Sequence, residues 1–219
     1  MNGSFDARDL MSPETYARES RDSHAEIKVR REQRTVQIGP NAALMFEDAL
    51  TVRYQLQETL RIENFSDDAA VRAEIDAYAA LIPDGSNFKA TLVLGFADAN
   101  ERRARTAELS GVEDHVWMQV DGFARTFAVA EQSLDRVEAN RLPAVRYLRF
   151  QLDKPRVREL KEGSPLLVGI DHGAYRASLT LAESVRQLLV QDLRSLRANH
   201  VLSFRRVECP VIVIAGARP

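Results

Sequence analysis

Cysteine is almost absent from this chain, since Cys209 is the one thiol in 219 residues. A single thiol excludes a disulfide within the chain, and it excludes a zinc or iron–sulfur site built from cysteines of one chain. The histidines offer no metal motif in their place, because neither His-x-x-x-His nor Glu-x-x-His occurs. We therefore predict no bound metal and no cofactor, and we interpret Cys209 as a spectator thiol rather than a nucleophile.

An excess of one charge and long apolar runs are lacking as well. The 30 basic and 32 acidic residues leave a formal net charge of -2, so no overall field attracts nucleic acid or an anionic membrane. No apolar run approaches the roughly 20 residues that a membrane-spanning helix needs. Asp6, Arg8 and Asp9 do not fit a secretory signal. We expect a cytoplasmic protein with no nucleic-acid partner and no membrane partner.

Glycine-rich phosphate loops are also missing. Neither Gly-x-Gly-x-x-Gly nor Gly-x-x-x-x-Gly-Lys occurs, and Gly95 and Gly111 stand alone. These motifs cradle phosphates between a strand and a helix. Nucleotide hydrolysis and dinucleotide binding are therefore disfavoured.

The order of helical and strand patterns predicts one α+β domain over residues 1–196. Caps and apolar periodicity indicate a helical part over about 12–82, a sheet-rich part over about 87–181 and a closing helix over 182–196. The Asp121-Gly122 pair is a strong hairpin signal. We expect a largely antiparallel sheet with helices packed on one face, and a helical N-terminal part.

Residues 197–219 differ from the rest and are interpreted as a C-terminal extension. They contain the pair Arg205-Arg206 and the apolar run 210–215. An appended edge strand or a poorly ordered tail is one interpretation. Addition of a strand to a partner is the other.

The segment 81–96 holds the most informative local pattern. Pro83 ends a helix, Asp84-Gly85 forms a turn, and the residues that follow alternate as a strand. Its apolar side carries Phe88, Ala90, Leu92, Leu94 and Phe96, whereas its polar side carries Lys89 and Thr91. The short polar loop at its start is thus fixed at both ends, which suits a binding site.

Strand alternation also predicts a shared polar face on the side of the sheet away from the helices. The residues expected on it are Lys89, Thr91, Trp117, Gln119, Tyr147, Arg149 and Asp171. A lone Trp among cations resembles a platform for an anionic ligand. The alternative is a solvated face whose Trp is half-covered by a loop or a second subunit.

Several residues are candidates for proton transfer or anion binding. Asp171-His172 at a strand end would act as a general-base pair, or would contribute ligands to a metal site with Glu47, Asp48 or Glu58. However, adjacent residues of a strand point to opposite faces. The catalytic candidates are Asp84, Lys89, Asp171 and His172. The ligand-binding candidates are Arg61, Lys89, Trp117, Gln119 and Arg149. A polar helix stripe that includes Glu58 and Arg61 is more typical of a solvated face.

Ordered blocks along the chain resemble a bacterial family, domain of unknown function 3501. These blocks are Gln37–Pro40, Leu44–Asp48, Tyr54–Glu58 with Arg61, Leu81–Ala90, Glu113–Val120, Tyr147–Phe150 and Val168–His172 with Ala174–Arg176. The likeness runs from about Asp9 to Leu196. The chain departs from the pattern at Arg146, where many relatives are expected to have histidine, and in the tail past Leu196.

The resemblance implies no established activity. It implies a genomic association with a rubrerythrin-like di-iron protein and an iron–sulfur protein of the heterodisulfide-reductase type, and hence a part in redox or oxidative-stress handling. Electrons would then travel on the partners, since this chain has too few thiols to hold a cluster.

Two functions follow as hypotheses. The first is a non-catalytic accessory protein that docks onto those redox partners through the charged N-terminal helix and the Trp117 face. The second is an enzyme or sensor that holds an anion with Lys89, Arg61 and Arg149, with Asp84 or Asp171–His172 moving a proton. We favour the first, because no activated nucleophile or positioned base has a recognisable spacing. An amphipathic last helix would suit a symmetric homodimer.

Overall fold

The computed structural model describes residues 10–11, 13–63, 67–96, 98, 104–105, 107–131 and 145–193. The helices are α1 (Pro13–Gln33), α2 (Ala49–Glu63), α3 (Asp68–Ala79), α4 (Lys154–Glu162) and α5 (Glu183–Asp192), with a 3-10 turn at Val112–His115. The strands are β1 (Thr35–Ile38), β2 (Ala42–Phe46), β3 (Asn87–Leu94), β4 (Val116–Val120), β5 (Thr126–Phe127), β6 (Val129–Ala130), β7 (Val145–Gln151), β8 (Leu166–His172) and β9 (Tyr175–Thr180).

The strands form two antiparallel sheets. The first sheet has the order β1-β2-β3-β7-β6, and the second has the order β5-β4-β8-β9. The α+β class, the antiparallel pairing and the helical N-terminal part are confirmed. The expectation of one sheet is wrong, because the strand pattern does not reveal that the chain changes sheet within residues 126–130.

The core lies between the two sheets. Alternate residues of β3 and β7 meet alternate residues of β4 and β8, and their side chains are almost fully buried. The main contributors are Phe46, Phe88, Leu92, Leu148, Phe150, Val116, Met118, Val168 and Ile170. The second sheet therefore covers the Phe88 face of β3, where helices had been expected.

The helices α2 and α3 cover the outer face of the first sheet. Val52, Leu56, Ile75 and Tyr78 pack with Tyr147 in a second apolar cluster. Because β3 is covered on both faces, seven of its eight residues are buried, including polar ones. The face that was predicted to lie away from the helices is in fact the helix-covered face.

Two junctions hold the sheets together. On one side, β5 pairs with β4 while β6 pairs with β7, and the Ala128 amide between them donates to the Val116 carbonyl at 2.8 Å. On the other side, the buried Tyr175 hydroxyl donates to the Ile38 carbonyl at 2.6 Å and accepts from the Asn41 amide at 3.1 Å. The nine strands found among the described residues thus enclose one core.

A buried arginine ties the last helix to the first. Arg34 is 1% exposed, and its guanidinium donates to the Phe46 carbonyl at 2.9 Å and to the Asp192 carboxylate of α5. Asp48 lies 3.5 Å from the same guanidinium and accepts from Arg30 at 2.6 Å. Burial opposes the charge of Asp48, but Arg34 and Arg30 outweigh it, so the pKa of Asp48 is lowered.

The predicted hairpin at Asp121-Gly122 is present, with a connection of five residues and Gly122 at φ 79°. No helix within the described ranges is long and apolar enough to cross a membrane. The tail 197–219, with Cys209, lies outside the described residues.

Candidate functional site

The single polar face predicted from strand alternation is divided between the two sheets. Lys89 and Arg149 are cross-strand neighbours on the outer face of the first sheet. Trp117, Gln119 and Asp171 lie on the outer face of the second sheet, since their neighbours Met118 and Ile170 point into the core. The prediction of one shared face is wrong, because pleating gathers residues only within one sheet.

The first half of the predicted face is a closed polar network. Lys89 is 6% exposed, and its Nζ lies 2.7 Å from the Glu131 carboxylate, which Arg149 also contacts at 3.1 Å. Beside it, the buried Glu47 carboxylate accepts from Thr51 and Thr91, each at 2.6 Å. These charges are satisfied within the fold, so they stabilise the packing of the first sheet.

The second half is a covered tryptophan. Trp117 is 3% exposed and lies against Gly169, while the Arg125 guanidinium stacks 4.0 Å from its ring centroid. Asp171 holds Arg125 at 3.2 Å and also contacts Arg176 at 3.2 Å. The structure therefore brings Trp117 and Asp171 together, with an arginine between them.

The remaining catalytic candidates have local roles. The Asp84 carboxylate accepts from the Ser86 amide at 2.8 Å and from its hydroxyl at 2.7 Å, which stabilises the turn. His172 accepts from the Ala174 amide at 3.2 Å through Nδ1, and its ring lies 5.1 Å from that of His115. Neither side chain is placed beside the other candidates.

An open cleft of about 580 Å³ lies elsewhere, between α1, the β1–β2 hairpin and α2. It is called the α1 cleft below. Its lining residues are His24, Ile27, Lys28, Arg31, Glu32, Thr35, Gln37, Ala43 and Tyr54. The volume falls within the range of small-molecule sites in proteins.

Two cations in the α1 cleft have no counter-ion. Lys28 and Arg31 make no ion pair within the described part of the chain, and the buried Nε of Arg31 has no hydrogen-bond partner there. They stand three residues apart on α1, which places them side by side on one helix face. A buried donor without an acceptor costs about 1–3 kcal/mol. Because this Nε is buried, an anion from outside the chain would contact the Lys28 ammonium and the outer nitrogens of Arg31 instead.

The Glu58 carboxylate lies beside the cleft, next to His24. Glu58 of α2 accepts from Tyr16 at 2.7 Å and from Arg61 at 2.8 Å, and its carboxylate lies 3.3 Å from Nε2 of His24. Although burial opposes ionisation, the hydrogen bonds from Arg61, Tyr16 and His24 lower the pKa of Glu58. An ionised carboxylate only accepts hydrogen bonds, so the His24 nitrogen that faces Glu58, Nε2, is the donor, and in the neutral ring Nδ1 is an acceptor.

Tyr54, which also lines the cleft, stays protonated. Burial and the nearby Glu58 charge raise the pKa of Tyr54, and the His24 ring meets the Tyr54 ring edge-to-face at 5.5 Å between centroids. The cleft thus combines one phenol, one imidazole, the Glu32 carboxylate and two cations that have no ion pair among the described residues. Its floor is in part apolar, through Ile27 and Ala43.

Of the residues predicted to bind a ligand, only Arg61 lies near this cleft, and it is held by Glu58. The sequence analysis missed His24, Lys28 and Arg31, because the charged N-terminal helix was expected to dock onto partner proteins rather than to line a cleft. The spacing of these three residues, four and then three positions apart, could have indicated the site, since it places them on one face of α1. In the ranges that the structure describes, no three His, Cys, Asp or Glu side chains are grouped to hold a metal ion.

A family model described as "Protein of unknown function (DUF3501)" matches residues 4–193. The chain belongs to the DUF3501 family. This finding confirms the resemblance drawn from the sequence blocks. The match covers every residue of the α1 cleft.

A solved structure supports the fold of this family member. It is the crystal structure of a novel protein of unknown function from Burkholderia pseudomallei K96243, which is 39% identical to this chain. The similarity covers 87% of this chain and 99% of the other, with a TM-score of 0.80. No curated protein matches the chain.

Proposed function

We propose that this DUF3501 chain is a non-catalytic accessory protein that binds a small organic anion in the α1 cleft. One observation carries the proposal: Lys28 and Arg31 line the cleft without a counter-ion among the described residues. Arg31 is partly buried and Lys28 is exposed, and folded proteins seldom leave a partly buried cation such as Arg31 without a counter-charge. A bound anion would supply that counter-charge to both residues.

The state of the other candidate residues supports binding over catalysis. Lys89 is paired with Glu131, Asp171 is paired with Arg125 and Arg176, and Asp84 caps its own turn. Each of these groups is engaged within the fold and would have to break a contact before it reacted.

The redox setting is the further part of the proposal. We propose that the chain serves an iron–sulfur protein and a rubrerythrin-like protein, and that its anion reports the state of that system. The support for these partners is the family resemblance. A homodimer and a cytoplasmic location likewise remain predictions.

One observation favours an enzyme as the second candidate. His24 is oriented by an ionised Glu58 and lines a cleft with two cations, an arrangement that suits a general base acting on an anionic substrate. The two candidates differ in the fate of the anion. A ligand recovered unchanged after incubation supports the accessory protein, whereas a product whose formation is lost in His24→Gln supports the enzyme.

A thermal-shift screen with organic anions tests the proposal. A ligand that binds the folded state raises the melting temperature, and the double variant Lys28→Ala/Arg31→Ala should abolish that rise. The control Arg158→Ala/Lys161→Ala removes two exposed cations from α4 and should keep it. If no anion shifts the wild-type protein, or if both double variants respond alike, the proposed site is wrong.

A further inference from the structure

We infer that the ligand of the α1 cleft is a phosphomonoester with a short hydroxylated body. This inference rests on the proposed function and adds the chemical class of the anion. It depends on the number of unpaired donors, on their separation along α1 and on the acceptor left on His24.

Lys28 and Arg31 together favour a ligand group that carries two negative charges. Lys28 and Arg31 are neighbours on the same helix face, and neither has a counter-ion in the described part of the structure. A single carboxylate would neutralise one of them. A phosphate monoester carries about -1.5 to -2 charges and three acceptor oxygens, enough for the Lys28 ammonium and for the outer nitrogens of the Arg31 guanidinium.

The opposite end of the cleft calls for a donor. In the neutral imidazole of His24, Nδ1 is an acceptor, because Nε2 lies 3.3 Å from the Glu58 carboxylate and donates to it. His24 precedes Lys28 by four residues and Arg31 by seven, which corresponds to roughly 6 and 10 Å along the helix. A hydroxyl two or three carbons away from a phosphate spans that distance.

The middle of the cleft limits the body of the ligand. Ile27 and Ala43 offer carbon surface, and Tyr54 contributes a ring and a protonated hydroxyl. Gln37 and Thr35 lie on the exposed side of β1. This mixture suits a short carbon chain with hydroxyl groups better than a large aromatic group.

Calorimetric titration with four probes tests the inference. The probes are glycerol phosphate, propyl phosphate, inorganic phosphate and the dicarboxylate malate. We expect glycerol phosphate to bind at least about tenfold more tightly than each of the other three, since one hydrogen bond or one unpaired charge is worth about that factor. In Lys28→Ala, its affinity should fall about tenfold.

A variant of His24 separates the hydroxyl contact from the anion contact. His24→Phe removes both ring nitrogens and should lose most of the preference for glycerol phosphate over propyl phosphate. His24 is half-exposed, and the circular dichroism spectrum and melting temperature of the variant verify that it folds. Equal preference in His24→Phe and wild type would overturn the hydroxyl contact.

The outcomes separate this inference from the function on which it rests. Malate binding as tightly as glycerol phosphate, with the same dependence on Lys28 and Arg31, would overturn the phosphomonoester while the anion site stands. Inorganic phosphate binding as tightly as glycerol phosphate would overturn the hydroxylated body. Absence of binding by all four probes, together with a silent anion screen, would overturn the proposed function itself.

Discussion

Two arginines three residues apart on the chain have opposite relations to the fold. Arg34 donates to the Phe46 and Glu47 carbonyls and contacts two carboxylates. Arg31 lines the α1 cleft with its buried Nε unpaired. Arg34 therefore stabilises the structure. Arg31, in our proposal, binds the ligand, and its unpaired Nε costs some stability.

This contrast gives the first prediction. Arg31→Met should leave the free energy of unfolding unchanged or raise it by up to about 3 kcal/mol, because it removes an unpaired buried donor and loses no side-chain hydrogen bond or ion pair to a described residue. Arg34→Met should cost about 3–5 kcal/mol, because it leaves buried carboxylates without their cation. Urea denaturation of both variants measures the difference, and equal losses would contradict the roles assigned here.

A glycine under the tryptophan gives the second prediction. A Cβ at Gly169 would lie 2.5 Å from Cζ2 of Trp117 and 2.8 Å from Cβ of Ser178. Gly169→Ala should therefore destabilise the protein by about 1–3 kcal/mol through overpacking. Gly173→Ala is the matched control, since a Cβ there meets nothing within 4 Å. Tryptophan fluorescence during urea unfolding reports both variants, and a neutral Gly169→Ala would show that Trp117 is not held against β8.

At the scale of elements, local patterns were informative and long-range pairing was not. The alternation after the Asp84-Gly85 turn correctly predicted β3, and the Asp121-Gly122 pair correctly predicted the turn between β4 and β5. The same alternation could not predict what covers each face, because a helix and a second sheet bury a strand face equally well. The sequence therefore predicted which side chains share a strand face, and it failed where two sheets had to be distinguished.

The candidate site was missed for a related reason. The charged residues of α1 resemble a solvated face, and only the hairpin and α2 beside them turn that face into a cleft. In the hairpin and α2, Gln37, Ala43 and Tyr54 lie 13 to 30 residues after His24 in the sequence. Helical periodicity reveals the face of α1, but it does not reveal what lies opposite.

The contact between β9 and the β1–β2 turn gives the third prediction. The Tyr175 hydroxyl makes two hydrogen bonds there, and a Cβ at Gly39 would lie 2.7 Å from it. Tyr175→Phe leaves a buried carbonyl and an amide unpaired and should cost about 1–3 kcal/mol. Hydrogen exchange should show faster exchange at the Asn41 amide. Unchanged protection at that amide would mean that the two sheets do not depend on this contact.

At the scale of the whole molecule, the shared guanidinium of Arg34 makes stability depend on pH. Burial raises the pKa of Asp192 from 3.8 to about 6, with the neighbouring Asp48 charge acting in the same direction and Arg34 opposing it. The folded state therefore binds this proton more tightly than the unfolded chain. The stability that the proton contributes is complete below the unfolded pKa and is lost as the pH rises through about 6.

This linkage gives the fourth prediction. Between pH 7 and pH 5, protonation of Asp192 should increase the free energy of unfolding by about 1 kcal/mol. Asp48 acts in the opposite sense, but its lowered pKa confines the loss to pH values below 3.8. Chemical denaturation at the two pH values measures the change, and Asp192→Asn is expected to remove it. A wild-type protein that loses stability from pH 7 to pH 5, with Asp192→Asn behaving alike, would contradict this linkage.

We propose that Lys28 and Arg31 form an anion site. Anomalous diffraction from crystals soaked in selenate shows directly whether an anion binds there. Selenate is a tetrahedral dianion whose selenium atom can be located by its anomalous signal. We expect an anomalous selenium peak in the α1 cleft, with selenate oxygens about 3 Å from Nζ of Lys28 and from the Arg31 guanidinium. The double variant Lys28→Ala/Arg31→Ala should show no such peak. Selenate bound only at other surfaces, with the wild-type cleft empty, would contradict it.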